Sequence, residues 1–138
     1  MRIFLDANVL VSVLNKEYPT FSFSSKILSL CDSPKFEVYT SPISLAIAFY
    51  FSEKKSGREM AKRKMAVLAS KLRICPVNEN VVIQTSENKL IGDFEDGLEY
   101  YAAKNVRCQC IVTEDLDDFY FSELEVMNCC TFLEKYLA

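Results

Sequence analysis

The feature that most constrains this chain is an alternation: short apolar runs of strand length are followed repeatedly by longer segments whose apolar residues recur at helical spacing. Met1 to Leu5 is an apolar run with a single Arg, closed by Asp6, and reads as a buried first strand ending in a polar loop. Phe23, Ile27, Leu28 and Cys31 keep helical spacing until Ser33-Pro34 stops it, which places helix one over Ser22 to Cys31 or slightly earlier. Phe36 to Thr40 predicts a second strand. Thr40-Ser41-Pro42 then offers a cap with proline at the first helical position, ahead of an apolar segment to Phe51 that predicts a helix buried on most sides. After Gly57 a basic amphipathic helix is expected to about Ser70, its repeat marked by Met60, Lys64, Val67 and Leu68. Leu72 to Val77 predicts a strand ending at Cys75-Pro76, and a helix follows from about Asn78 to Asn88.

Gly92-Asp93 opens another helix through Ala103, with Phe94, Leu98, Tyr101 and Ala102 on one face and Asn105 at its end. Cys108 to Thr113 predicts a strand, Glu114 to Asp118 a loop, and the chain closes with a strand near Val126 and a helix from Thr131 to Tyr136. This β/α order implies an α/β fold with a parallel central sheet of about four to five strands and helices on both faces. With 138 residues, half of them hydrophobic, residues 1–138 suffice for one domain with a proper core and no disulfides.

Composition narrows the chemistry. The chain has no histidine, which excludes Ser-His and Cys-His hydrolase mechanisms and leaves acid-base or metal chemistry to carboxylates. Its six cysteines form no CxxC pair, so a zinc site is not expected. Cys108 and Cys110 are expected to share one face of a strand and Cys129 and Cys130 to point to opposite faces, as small buried hydrophobes. No segment has the roughly 20 apolar residues of a membrane span and no leader is evident, so a cytoplasmic protein without a membrane partner is expected. A net charge of −3 gives no overall attraction to nucleic acid. Any phosphate contact has to be local, and the candidate patch is Lys54-Lys55-Ser56-Gly57-Arg58 continuing through Lys62, Arg63 and Lys64; its plainer reading is a solvated helix face.

In parallel α/β sheets, ligands bind where loops converge at the carboxyl ends of strands. Asp6 and Asp115 follow predicted strands directly, and Asp93 and Asp96 are spaced i, i+3 at a helix start, so four carboxylates are candidates for one site. Such charges repel, and a divalent cation with a preference for hard oxygen ligands offsets the repulsion. Each acid also has a bland reading: an Asx turn or cap at Asp6-Ala7-Asn8, a favourable helix N-terminus at Asp93 to Asp96, and a solvated turn at Asp115 to Asp118.

Taken together, Ile3-Phe4-Leu5-Asp6-Ala7-Asn8-Val9-Leu10, Asp93-Phe94-Glu95-Asp96-Gly97-Leu98, and Ile111-Val112-Thr113-Glu114-Asp115 with Asp118-Phe119 resemble the first, third and fourth acidic blocks of PIN domains. The resemblance spans essentially the whole chain, which is similar to VapC-type toxins of toxin–antitoxin pairs. It implies a PIN-like fold and a Mg²⁺- or Mn²⁺-dependent ribonuclease. In that reading Asp6, Asp96 and Asp115 are catalytic metal ligands, Asp93 is a fourth metal-binding acid, and Asn8 and Thr113 are supporting polar groups. It further implies an RNA substrate, a small antitoxin partner and a homodimer; Ala48-Phe49-Tyr50-Phe51 is a candidate partner surface.

Lys54, Lys55, Arg58, Lys62 and Arg63 are the candidate RNA-backbone contacts. One block departs from the family: Thr40 to Ala48 matches its second acidic block, yet Ile47 stands where the glutamate is usual, and Glu53 is too far along the helix to replace it. A PIN-like module that binds RNA or protein without turnover is therefore the main alternative, and a phosphatase with Asp6 as nucleophile is a second. Gly97, where alanine is more usual, costs its helix up to about 1 kcal/mol and has no reading from sequence.

Overall fold

The computed structural model describes residues 1–137. Its elements in chain order are β1 (Arg2–Leu5), α1 (Ala7–Leu14), α2 (Phe21–Leu28), β2 (Glu37–Thr40), α3 (Pro42–Ser56), α4 (Arg58–Lys71), β3 (Arg73–Ile74), α5 (Glu79–Glu87), α6 (Phe94–Asn105), β4 (Cys110–Val112), β5 (Glu125–Met127) and α7 (Cys129–Leu137). Short 3₁₀ turns cover Ser29–Asp32 and Leu116–Phe119.

The strands form one five-stranded sheet in the order β3-β2-β1-β4-β5. Every pairing is parallel, with Ile3 opposite both Val38 and Cys110. The chain builds outward from β1 on one side and then returns to pair β4 against β1, so the strand order reverses between these two strands. That reversal opens a crevice at their carboxyl ends, where Asp6 and Thr113 follow directly.

Alternation along the central strands divides the core between the two faces. Ile3, Leu5, Cys110 and Val112 pack with Val9, Leu10, Ile27, Ala48, Leu68 and Phe132 on one face. Phe4, Tyr39 and Ile111 pack with Tyr100, Ala102, Ala103, Phe119 and Phe121 on the other. Cys108 joins the second group although Cys110 lies in the first. The expected shared face fails because Cys108 precedes the strand, just after Arg107 at a positive φ of 65°, where the two-residue alternation does not yet hold. Cys129 and Cys130 begin a helix rather than lying on a strand; Cys129 is fully buried and Cys130 half-buried.

Other expectations shift for identifiable reasons. The polar loop expected after Asp6 is instead helix α1, because Asp6 is its N-cap and accepts a hydrogen bond from Ala7 N. Helix α3 begins as expected, with Ser41 as its cap and Pro42 at its first turn, but is not buried on most sides. Only Ser44, Ala48 and Ser52, one turn apart, are buried, and these small side chains let α1 and α6 lie close against α3, while Tyr50 and Phe51 are exposed. Helix α4 buries Ala61 and Leu68 rather than Met60 and Val67. Helix α6 buries a face built on Gly97, Glu99, Tyr100, Ala102 and Ala103, leaving Phe94 in solvent. No described helix is long and apolar enough to cross a membrane.

Candidate active site

Asp6 is held from three sides. Its Oδ1 accepts from Ala7 N at 2.7 Å, and its Oδ2 accepts from Thr113 Oγ1 at 2.8 Å and from Asn8 Nδ2 at 3.4 Å. Asn8 Nδ2 also reaches Thr113 Oγ1 at 3.0 Å and Asp115 Oδ2 at 3.1 Å, while its Oδ1 accepts from Glu114 N at 3.1 Å. The Thr113 hydroxyl accepts a further bond from Asp115 N at 3.1 Å. Asn8 and Thr113 thus join the ends of β1 and β4 and fix the Asp6 and Asp115 carboxylates relative to each other. The donors hold both carboxylates in fixed orientations, which is what a cation-binding site requires of its supporting groups.

Helix α6 brings the third acid. Asp96 lies in its first turn and lines the same cleft as Asp6, Asn8 and Asp115. Asp93 does not line it: it is the N-cap of α6, in extended backbone, and its Oδ1 accepts from Asp96 N at 3.1 Å. The i, i+3 argument requires both residues to be helical, and Asp93 lies just outside the helix. Its place in the structure is that of a cap.

The cleft has a volume of about 380 Å³ and is lined by seven carboxylates, Asp6, Glu17, Glu95, Asp96, Glu99, Asp115 and Asp118. Ile47 and Phe51 of α3 form an apolar wall, and no Lys or Arg side chain takes part. Four of these acids, Glu17, Glu95, Glu99 and Asp118, were given no site role from sequence. Asp118 follows Asp115 by one turn of 3₁₀ helix. Glu99 is 1% exposed and accepts a hydrogen bond from Ser44 Oγ of α3. The only sequence signal for Glu99 is its i, i+3 spacing from Asp96, on a helix face that is otherwise apolar.

The crowding appears as displaced acidities. The Asp96 carboxyl is pushed up to about 7, first by burial and then by the charges of Asp93, Asp118, Asp6 and Glu95. Asp118 is raised by burial and by Asp115, Asp6, Asp93 and Asp117. Glu99 is raised well above the usual carboxylate range, by burial first and then by the charge and close approach of Asp6, with the Ser44 hydroxyl pulling the other way.

Cations fare differently from acids. None of the candidate RNA contacts enters the cleft. Lys55 donates to the Asn15 carbonyl, Lys54 sits 4.7 Å above the Tyr50 ring, and Arg58 and Arg63 pair with Glu53 and Glu59 at 3.0 and 3.8 Å. Lys62 is exposed on α4. Lys54 and Lys55 nevertheless follow Phe51 by one helical turn, so the basic corner flanks the acidic one. A larger groove of about 580 Å³, floored by Val13, Leu14, Leu28 and Leu68 and edged by Lys16, Lys55, Lys64 and Lys71, contains no carboxylate and is separate from this chemistry.

Asp6, Asp96 and Asp115 fit a hard divalent cation: their donors are all anionic oxygens, and no ammonium or guanidinium group lines the cleft to compete. Among the described residues, no three acidic or cysteine side chains close on a single point as they stand.

The PIN domain family model matches residues 2–117 of this chain. The chain is similar to Ribonuclease VapC1 of Aquifex aeolicus, with 26% identity over 139 residues, covering 98% of this chain and 95% of that protein. Its fold is that of VapBC2 from Rickettsia felis, solved bound to a promoter DNA fragment, with a TM-score of 0.71 at 20% identity over 93% of this chain and 98% of that one. It also matches VapC20 of Mycobacterium tuberculosis, a sarcin-ricin loop cleaving toxin, with a TM-score of 0.64 at 17% identity over 79% of this chain and 86% of that one. A family match over residues 2–117, on a five-stranded parallel sheet with an acidic crevice where its strand order reverses, establishes that this chain belongs to the PIN domain family.

Proposed function

We propose that this protein is a metal-dependent endoribonuclease acting as the toxin of a toxin–antitoxin pair. The observation that carries the reading is the convergence of Asp6, Asp96 and Asp115 in one cleft without a cationic side chain, at the carboxyl ends of β1 and β4. The similarity to Ribonuclease VapC1 supports RNA as the substrate class.

Asp6, Asp96 and Asp115 would hold Mg²⁺ or Mn²⁺, which when bound supplies a Lewis acid for water and for a phosphoryl oxygen. The side chains themselves position. Thr113 and Asn8 keep the Asp6 and Asp115 oxygens facing the cleft, and the Asp93 cap fixes the first turn of α6 and with it Asp96. Ile47 and Phe51 exclude water from one wall, so charges inside interact more strongly than they would in solvent. Lys54, Lys55, Arg58, Lys62 and Arg63 would steady the phosphates of an incoming strand, which the acidic cleft alone repels. The exposed Tyr50 and Phe51, 52% and 45% accessible beside the cleft, are where an antitoxin or a second copy of the chain would pack.

A second reading rests on Ile47, which brings no charge from α3 to the cleft: a PIN-like module that binds without turnover. Cleavage of a labelled structured RNA with Mn²⁺ or Mg²⁺ decides between them, comparing the natural protein with Asp115→Asn and with an EDTA control. Cutting that needs both the metal and Asp115 is the expected result. A folded protein that binds RNA without cutting it establishes the second reading.

A further inference from the structure

Glu99 is the one acid of the cleft that the helix pattern should have excluded. It is 1% exposed, between Leu98 and Tyr100 on the packed face of α6. Burying an ionised carboxylate costs several kcal/mol unless a partner neutralises it. Its one donor among the described residues is the Ser44 hydroxyl, on Oε1. Its carboxyl group also lies within hydrogen-bonding reach of Asp6, a second acid.

Ser44 is itself fixed, its backbone N–H donating 3.1 Å to the Ser41 cap of α3, so the hydroxyl orients Glu99 from a rigid base. The neighbour of this arrangement across the cleft is Ile47, one turn further along α3, which presents only hydrocarbon.

A buried glutamate oriented by the Ser44 hydroxyl on Oε1 and lying beside Asp6 in the same cleft is placed to share a cation with it. We propose that Glu99 is a metal ligand of this site and provides from α6 the carboxylate that α3 lacks at Ile47, with Ser44 as its positioning residue. This rests on the metal-dependent reading above and extends it to a residue outside the family's acidic blocks as they stand in this sequence.

The experiment is Mn²⁺ binding by calorimetry, with no RNA present, for the full natural chain and for Glu99→Gln, Glu99→Asp and Glu95→Gln. Glutamine keeps the shape and the Ser44 contact, and melting without metal checks the fold of each variant. Glu99→Gln should weaken Mn²⁺ by about 10–100-fold, the range typical of lost support around a metal site. Glu99→Asp, which keeps the charge and loses one methylene of reach, should fall between Gln and the natural residue. Glu95→Gln removes the same charge from the outer lining of the cleft and should change affinity by less than about threefold, the scale of a screened surface charge.

Equal losses at Glu95 and Glu99 would reduce the effect to general electrostatics and overturn the proposal, as would unchanged affinity in both Glu99 variants. A natural chain that binds no Mn²⁺ at all would instead remove the metal-dependent reading itself, and the assignment of Glu99 with it.

Discussion

At the scale of single residues, the acids sort by whether their position relative to an element boundary can be read from the chain. Asp6 was legible because it follows an apolar run directly, and Asp115 because it stands just past another, since strand ends are where such runs stop. Asp93 was read one residue too generously: a cap and a first-turn residue look alike in a sequence, yet only the second projects from the helix. Glu99 was illegible because a charged residue on a helix is ordinarily solvated, and only the packing of α6 against Ser44 of α3 puts it inside. Asp96 carries a testable consequence. Its carboxyl is raised from 3.8 to about 7, so the folded protein without metal holds a proton there that the unfolded chain has already released. Stability from this group is therefore present below about pH 4 and is lost as pH rises through about 7. Asp96→Asn, which cannot ionise, should raise the melting temperature in EDTA at about pH 8 and leave it nearly unchanged at about pH 4. A variant melting no higher than the natural protein at the upper pH would show that the site tolerates the charge.

At the scale of elements, most strands and helices were visible in the sequence because their periodicity was intact, and the departures fall where burial and periodicity part company. Helix α3 carries Leu45, Phe49 and Phe51 but buries Ser44, Ala48 and Ser52, since close approach to α1 and α6 selects small side chains over large apolar ones. The same logic accounts for Gly97, which sequence alone left unexplained. A Cβ at this position would stand 2.5 Å from the Thr85 methyl and 2.8 Å from an Ile91 methyl, so α6 meets α5 and the turn after it at a distance only glycine allows. Thr85 cannot swing aside freely, because its hydroxyl is bonded to the Val81 carbonyl at 2.8 Å. Gly97→Ala gains up to about 1 kcal/mol of helix propensity. Overpacking of this kind costs about 1–3 kcal/mol, and with two methyls inside contact distance the upper part of that range applies. The net expectation is a loss of about 1–2 kcal/mol in chemical denaturation. It should come with weaker metal affinity, since Asp96 precedes Gly97 and moves with it. A stabilised variant would mean that α5 yields more easily than its bonded Thr85 implies.

At the scale of the whole molecule, the parallel sheet and its helical layers followed from β/α alternation, but the strand order did not. Sequence gives the succession of strands; only the pairing of β4 against β1 brings residues 6 and 115 together. That pairing also creates the electrostatic problem a nuclease of this kind must solve, because a chain of net charge −3 with seven carboxylates in one cleft repels a phosphate backbone. In the proposed nuclease, the basic corner where α3 meets α4 would be the counterweight. Gly57, at φ 82°, ends one helix and opens the next there, turning Lys54 and Lys55 on one side and Lys62 and Arg63 on the other toward solvent. Partial pairing of Arg63 with Glu59 at 3.8 Å, both highly exposed, is too weak to cancel its charge. If two phosphate contacts come from Lys62 and Arg63, reversing both to Glu should lower RNA affinity and reduce the slope of log K against log salt by about 1.4 for a single strand. Mn²⁺ affinity should stay as it was, because neither side chain lines the cleft. An unchanged salt slope with intact metal binding would separate the two functions, leaving the acids in place and moving phosphate recognition to another surface.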